Sequence, residues 1–327
     1  MKFRSTKTKI GAIALLLLVF GGVLLVGAGA NRALEIPVPL TSAAEIASDS
    51  TSGLNIANKQ PDQLPVRPGG IALPKPEPVN DLLQIVNDTT QQLNILDPKH
   101  PDFGKIPLPR RERLPSKTPG TGDYGTSVDR SLTGVLGVYA GQEVQPSLTL
   151  PSAPPDRTLY APTLEAPNYA ALESVTAYWR YAGMSSTSRG WGVWDHTTGG
   201  WAVFKPMDST FLSNYVRSYP EGQLYFTEVV YTSSAWRVLL YNFNTGAWEQ
   251  QYSSTGSSSR VDGWDVWESY FGGTCPSVPN VESKELKVFV NGQWPYVTST
   301  YGSLLDYQNC AYAENMVSQY YHWSVGP

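Results

Sequence analysis

Two glutamates, Glu228 and Glu268, stand on segments whose alternation gives each of them apolar or aromatic company. In GQLYFTEVVYT, Leu224, Phe226, Glu228, Val230 and Thr232 share one face of an extended strand. In GWDVWESYF, Trp264, Val266, Glu268 and Tyr270 share one face, with Asp265, Trp267 and Ser269 opposite. A carboxylate on an apolar face must be paired or protonated, because burying its charge alone is too costly. Two such groups together would suit acid hydrolysis, one activating a water and then returning the proton. The plainer alternatives are glutamates solvated on a concave or edge face, or ion pairs with Arg180 or Arg237.

Aromatic side chains offer a second kind of chemistry. Exposed indoles are flat platforms for sugar rings, and Trp191, Trp194, Trp201, Trp264 and Trp267 fall in neighbouring hairpins beside Asp, Asn and Glu. A sandwich rich in aromatic residues also uses them as core filler, which leaves only about two or three for a ligand. Metal and cofactor chemistry is not expected. His100, His196 and His322 are scattered with no His or Cys at ligand spacing, and no phosphate loop, dinucleotide fingerprint or G-x-S-x-G elbow occurs. A net charge of -4 with 16% charged residues supplies no basic footprint, which excludes nucleic acid as a partner.

The elements that would carry these residues begin at about residue 170. From there to residue 327, short runs rich in Val, Tyr, Phe, Trp and Thr alternate with period two between Gly, Ser, Asn, Asp or Pro. DHTTGGW, NFNTGAW and VNGQW supply hairpin turns. The pattern predicts an all-β fold, an antiparallel β-sandwich. Only DSTFLSNYVRSY, residues 208–219, reads as a helix, capped by Asp208 or Ser209.

All 10 tryptophans lie between Trp179 and Trp323, whereas 20 of the 26 prolines lie between Pro37 and Pro167. Residues 31–169 therefore read as a long, proline-rich, largely extended linker, with one amphipathic helix expected over 79–96. Within it, SLTGVLGVYAGQ and DRTLYAP have apolar runs able to join a neighbouring sheet as strands. Ahead of it, Lys2, Arg4, Lys7 and Lys9 precede an uncharged run over 10–30, long enough to span a bilayer. Ala28-Gly29-Ala30 fits a cleavage site, so residues 1–30 are a signal peptide or, if uncleaved, a membrane anchor. In either case the remainder is expected outside the membrane, secreted or at the cell surface. In such a compartment Cys275 and Cys310, with no companion Cys or His at ligand spacing, read as a disulfide.

The order of landmarks also resembles a family. WGVWD, YFTEVVY, YNFNTG, WDVWES and KVFVNG, between Trp191 and Gly292, look like the succession in the glutamic endopeptidases called eqolisins. The resemblance implies a concanavalin A-like jelly roll, with Glu268 at the place of the catalytic glutamate and Glu228 at a supporting position. It also implies a glutamine on an earlier strand to hold the oxyanion, and there is none between Leu172 and Gly222. The leading functional expectation is thus a non-catalytic, exported sandwich that binds carbohydrate or another cell-envelope polymer. The alternatives are a glutamic-peptidase-like hydrolase using Glu268, and a purely structural surface protein.

Overall fold

β-Branched and aromatic runs punctuated by glycine and asparagine turns favour pleated pairing. They form two sheets in a computed structural model that describes residues 74–80, 85–87, 94–96, 98, 104–105, 107–110, 118–129 and 134–327. The expected leader over 1–30 lies outside the described residues.

The first sheet has nine strands. Its order is β1 (Ile85–Asn87), β11 (Ala247–Ser254), β10 (Ala235–Asn242), β9 (Gly222–Thr232), β3 (Val135–Glu143), β13 (Val281–Val290), β16 (His322–Gly326) and β15 (Ala313–Ser318), while β8 (Arg217–Tyr219) also pairs with β9. The second has seven, in the order β14 (Gly302–Gln308), β2 (Thr121–Val128), β12 (Gly263–Tyr270), β4 (Arg157–Glu165), β5 (Leu172–Arg180), β6 (Ser188–Asp195) and β7 (Gly200–Pro206). All pairings are antiparallel except β1 with β11.

Inward-facing side chains of the two sheets interdigitate to form the core. Val138, Tyr225, Val229, Val238 and Val288 of the first sheet meet Leu164, Leu172, Trp191 and Val193 of the second. A second cluster gathers Tyr124, Leu159, Tyr178, Trp267 and Trp323, and beside it Cys275 and Cys310 form the expected disulfide. One polar network crosses between the layers. Asp265 of β12 accepts from Gln142 Nε2 at 3.0 Å, from Trp323 Nε1 at 3.2 Å and from Ser283 Oγ, and Tyr225 donates to Gln142. Such buried groups are tolerable because partners satisfy them, and each fixes the register of one layer over the other.

Three sequence expectations need correction. The sandwich starts at Thr121 rather than near residue 170: β2, β3 and β4 each have a partner on both sides. Prolines made this stretch look like linker. They sit in the connection from β3 to β4, at 146, 151, 154 and 155, and at Pro162, where the pairing of β4 with β5 shifts between Tyr160 and Thr163. A bulge is where a strand accommodates a residue with no N–H.

The helix expected over 79–96 is interrupted by β1, which adds in parallel to β11. Ile85 and Val86 are β-branched, and an open sheet edge satisfies their backbone better than a short isolated helix would. Finally, α1 (Ser209–Tyr215) is capped by Asp208, whose Oδ1 accepts from the Thr210 and Phe211 amides at 2.9 Å. The helix stops at Tyr215 instead of 219, because Val216 turns extended and leads into β8 ahead of Pro220.

Candidate functional site

Alternation assigns the faces of β9 and β12 as expected, but the strands belong to different sheets. Tyr225 and Val229 point into the core, so Glu228 faces outward from the first sheet among Tyr139, Phe226, Val230 and Trp248. Trp267 points into the core, so Glu268 faces outward from the second sheet, where Tyr270 donates to it at 3.2 Å. The two carboxyls thus occupy opposite outer faces and cannot act on one substrate atom. An amide and a carboxylate do meet at Gln142 and Asp265, but both are sealed between the sheets.

What covers each outer face is the chain's own N-terminal segment. On the first sheet, residues 74–80 run extended. Pro74, Pro76 and Pro78 have no N–H, so this stretch presents mostly carbonyl acceptors. Aromatic donors meet them one after another. Tyr219 donates to the Pro74 carbonyl at 3.4 Å, Tyr139 to Pro76 at 2.6 Å, Trp248 Nε1 to Glu77 at 3.0 Å and Trp294 Nε1 to Val79 at 3.0 Å. The Val79 amide donates to Glu228 Oε1 at 2.8 Å. Charges flank the track: Lys75 pairs with Glu285 at 2.8 Å and Glu221 at 3.3 Å, and Lys287 with Glu77 at 2.9 Å. Burial pushes Glu228 well above the usual carboxylate range, against the opposing pull of the Val79 amide and Lys287. Burial therefore favours the neutral form of Glu228 there.

On the second sheet the same chemistry recurs with different residues. The Ile95 amide donates to the Phe204 carbonyl at 2.8 Å. Trp179 Nε1 donates to the Pro107 carbonyl at 2.8 Å, Trp201 Nε1 to Pro109 at 2.9 Å, and Tyr160 to Arg110. The Arg110 amide donates to Tyr181 Oη at 2.7 Å, and its guanidinium lies 5.0 Å from the centre of that ring. Gly190 and Gly192 of β6 make room for the aromatic floor. A Cβ on Gly190 would come within 2.4 Å of Phe204, and one on Gly192 within 2.9 Å of Trp201. Beside this track a cleft of about 160 Å³ opens between Ile95, Trp179, Arg189 and Phe204.

The five tryptophans singled out from the sequence do not form one platform. Trp191 and Trp267 are core residues, because their strands turn those positions inward. Trp194 and Trp201 are outward but perpendicular, at 89°, and Trp201 donates to the N-terminal segment at Pro109. Trp264 is buried beneath Arg260, whose guanidinium lies 3.8 Å from the ring centre. Tyr139, Trp179, Tyr181, Trp248 and Trp294, which hold the chain's own N-terminal segment, were not picked out from the sequence. Their signal was outward alternation beside a segment dense in unpaired carbonyls, which needs the sheet assignment to be read.

One further cluster lies on the outer face of the second sheet, at the ends of β4, β5 and β6. His196 Nε2 stands 3.4 Å from Glu165 Oε1 and 3.4 Å from Glu173 Oε2. Arg260 Nε lies 3.7 Å from Glu165 Oε2, and Trp264 Nε1 donates to Glu173 Oε1 at 3.2 Å. Burial alone would lower the His196 pKa, but the two carboxylates outweigh it and hold the ring up to about 9. Sequence spacing could not reveal this group, whose members come from three separate strand ends. It is a set of residues able to hold a metal ion.

No family model matches the chain, and no curated protein matches it. Solved structures do. Scytalido-glutamic peptidase with a transition-state analog inhibitor is 16% identical, with a TM-score of 0.38, over 64% of this chain and 98% of that one. SCP-B, a member of the eqolisin family of peptidases, in complex with the tripeptide Ala-Ile-His, gives the same figures of 16%, 0.38, 64% and 98%. The CBM2 module of the Lactobacillus casei BL23 phage J-1 evolved Dit is 12% identical, with a TM-score of 0.22, over 63% of this chain and 69% of that one. The likeness is one of fold.

Proposed function

We propose that this chain is an exported, non-catalytic β-sandwich whose outer faces bind extended polymer, with proline-rich polypeptide as the ligand class. One observation carries the reading. On both faces, aromatic O–H and N–H groups donate to several main-chain carbonyls of a proline-containing segment: Tyr139, Trp248 and Trp294 on one, Trp179, Trp201 and Tyr160 on the other. A proline-rich strand is extended before it binds, so ordering it costs little, and its carbonyls have no competing intrachain donors. Donors of this kind read the backbone, which suits recognition of a polymer more than of one side-chain sequence. The residues 74–80 and 107–110 are then occupants held in cis.

Carbohydrate, the other polymer considered, is less well supported, since Trp191 and Trp267 are in the core and Trp194 and Trp201 are perpendicular. A hydrolase using Glu268 is less well supported, since Glu228, its expected supporting residue, lies on the other sheet. Export rests on the charged head and the uncharged run over 10–30.

The test is to replace residues 74–79 by a glycine-serine run in the full chain and titrate a synthetic peptide of residues 72–81 while recording tryptophan fluorescence. Saturable binding, weakened when Trp248 and Trp294 are both changed to Phe, is the expected result. Equal binding of a glycine-serine peptide, or none of either, would sink the reading.

A further inference from the structure

Two buried carboxylates that face each other need positive charge between them. Glu165 and Glu173 are both fully buried, on the outward side of adjacent strands, and they pair across the register Glu165↔Glu173. Between them stands the His196 ring, yet His196 Nε2 and both oxygens of Glu165 are without a hydrogen bond among the described residues. At 3.4 Å from each carboxylate oxygen, Nε2 is too far for a good N–H···O bond, and a single N–H could not serve both.

The two distances from His196 match another arrangement, and all three candidate ligand atoms lie within 4.8 Å of one another. Ligand atoms bound tetrahedrally at about 2.0–2.1 Å from a zinc ion lie about 3.3–3.4 Å from one another. The second carboxylate oxygens fit as well. Glu173 Oε1 accepts from Trp264 Nε1, and Glu165 Oε2 faces Arg260, the kind of outer partner that orients a ligating carboxylate. Arg260 is in turn held over the Trp264 ring.

We propose that Glu165, Glu173 and His196 form a site for one divalent transition-metal ion, for which zinc is the best match. Two carboxylates and one imidazole are ligands zinc accepts. Three protein ligands leave a fourth position for water or an external group. Entry is from the side of His196, which retains 12% side-chain exposure while the glutamates have none. The ion would tie the ends of β4 and β5 to the turn after β6, on the same outer face as the second proline-binding track.

The experiment uses the full chain, purified without a polyhistidine tag, stripped with chelator and titrated with zinc chloride. Expected are one zinc per chain, a Kd near or below about 1 μM and a higher Tm in zinc. His196→Gln should weaken binding by at least about 10-fold. Should that variant fail to fold, X-ray absorption of the zinc-loaded wild type decides: three or four N/O neighbours at about 2.0–2.1 Å with a single imidazole support the site. Sulfur or two imidazoles in the shell would overturn it. So would zinc below about 0.1 per chain with no Tm change, or tight calcium or magnesium binding in place of zinc.

Discussion

The Val79 amide donates to the Glu228 carboxyl at 2.8 Å across a sequence separation of 149 residues. A strand residue that looked like half of a catalytic pair is instead an acceptor for the protein's own N-terminal segment. Because burial favours the neutral form of Glu228, Glu228→Gln should change stability by less than about 1 kcal/mol in urea denaturation. Glu228→Leu leaves the Val79 N–H buried and unpaired, and should cost about 1–3 kcal/mol. A Gln variant as damaged as the Leu variant would contradict the neutral-acid assignment.

Trp248→Phe and Trp179→Phe keep a ring but remove an indole donor, one on each face. Each should cost about 0.5–1.5 kcal/mol. Loosening should be local: amide exchange should accelerate around residues 74–80 for the first variant and 107–110 for the second, with the core strands β3, β9 and β12 unaffected. Uniform acceleration in hydrogen-exchange mass spectrometry would mean that the tracks are not separate from the core.

Stability should rise as pH falls from 8 to 5. Burial pushes Asp265 and Glu143 each up to about 7 and also raises Glu228 well above the usual carboxylate range, so the folded chain holds these protons more tightly than the unfolded one. Their contribution is complete below the unfolded carboxylate range and is lost as pH rises through the folded values. Glu221, Glu282 and Glu285 act oppositely. Burial works against them, but Lys75, Lys284 and His322 hold them below their ordinary values, so their contribution disappears at more acid pH. Calorimetry at pH 5, 6, 7 and 8 should therefore show Tm highest at the acid end of that window, and Asp265→Asn should flatten the trend.

Reduction of Cys275–Cys310 opens a loop with a sequence separation of 35 residues. The loss should be about 2–4 kcal/mol. Comparison of Tm with and without reductant, against a Cys275→Ser/Cys310→Ser double variant, measures it. The two losses should agree.

Alternation was enough to say which of Trp264, Asp265, Trp267 and Glu268 share a side of β12, since period two is a local property of the backbone. Which sheet a strand joins is not local, and the Glu228–Glu268 pairing failed for that reason. The proline count misplaced the start of the fold because composition averages over loops and strands. Pro162 sits within β4 itself, and β3 contains no proline at all. The cluster of Glu165, Glu173 and His196 was illegible because the hairpins β4–β5 and β5–β6 have to close before their ends meet.

The path of the N-terminal segment has a mechanical consequence. It crosses the outer face of the first sheet at residues 74–80, adds β1 beside β11, then crosses the second sheet at 94–96 and 107–110 before entering β2. A pull on the N-terminal end would meet these contacts in that order, ahead of the sandwich itself. Peeling them in turn would free a chain length of about 160 Å for the residues between 74 and 121, at about 3.3–3.6 Å each. The segment would behave as a stored coil of slack that pays out under load while the sandwich stays folded.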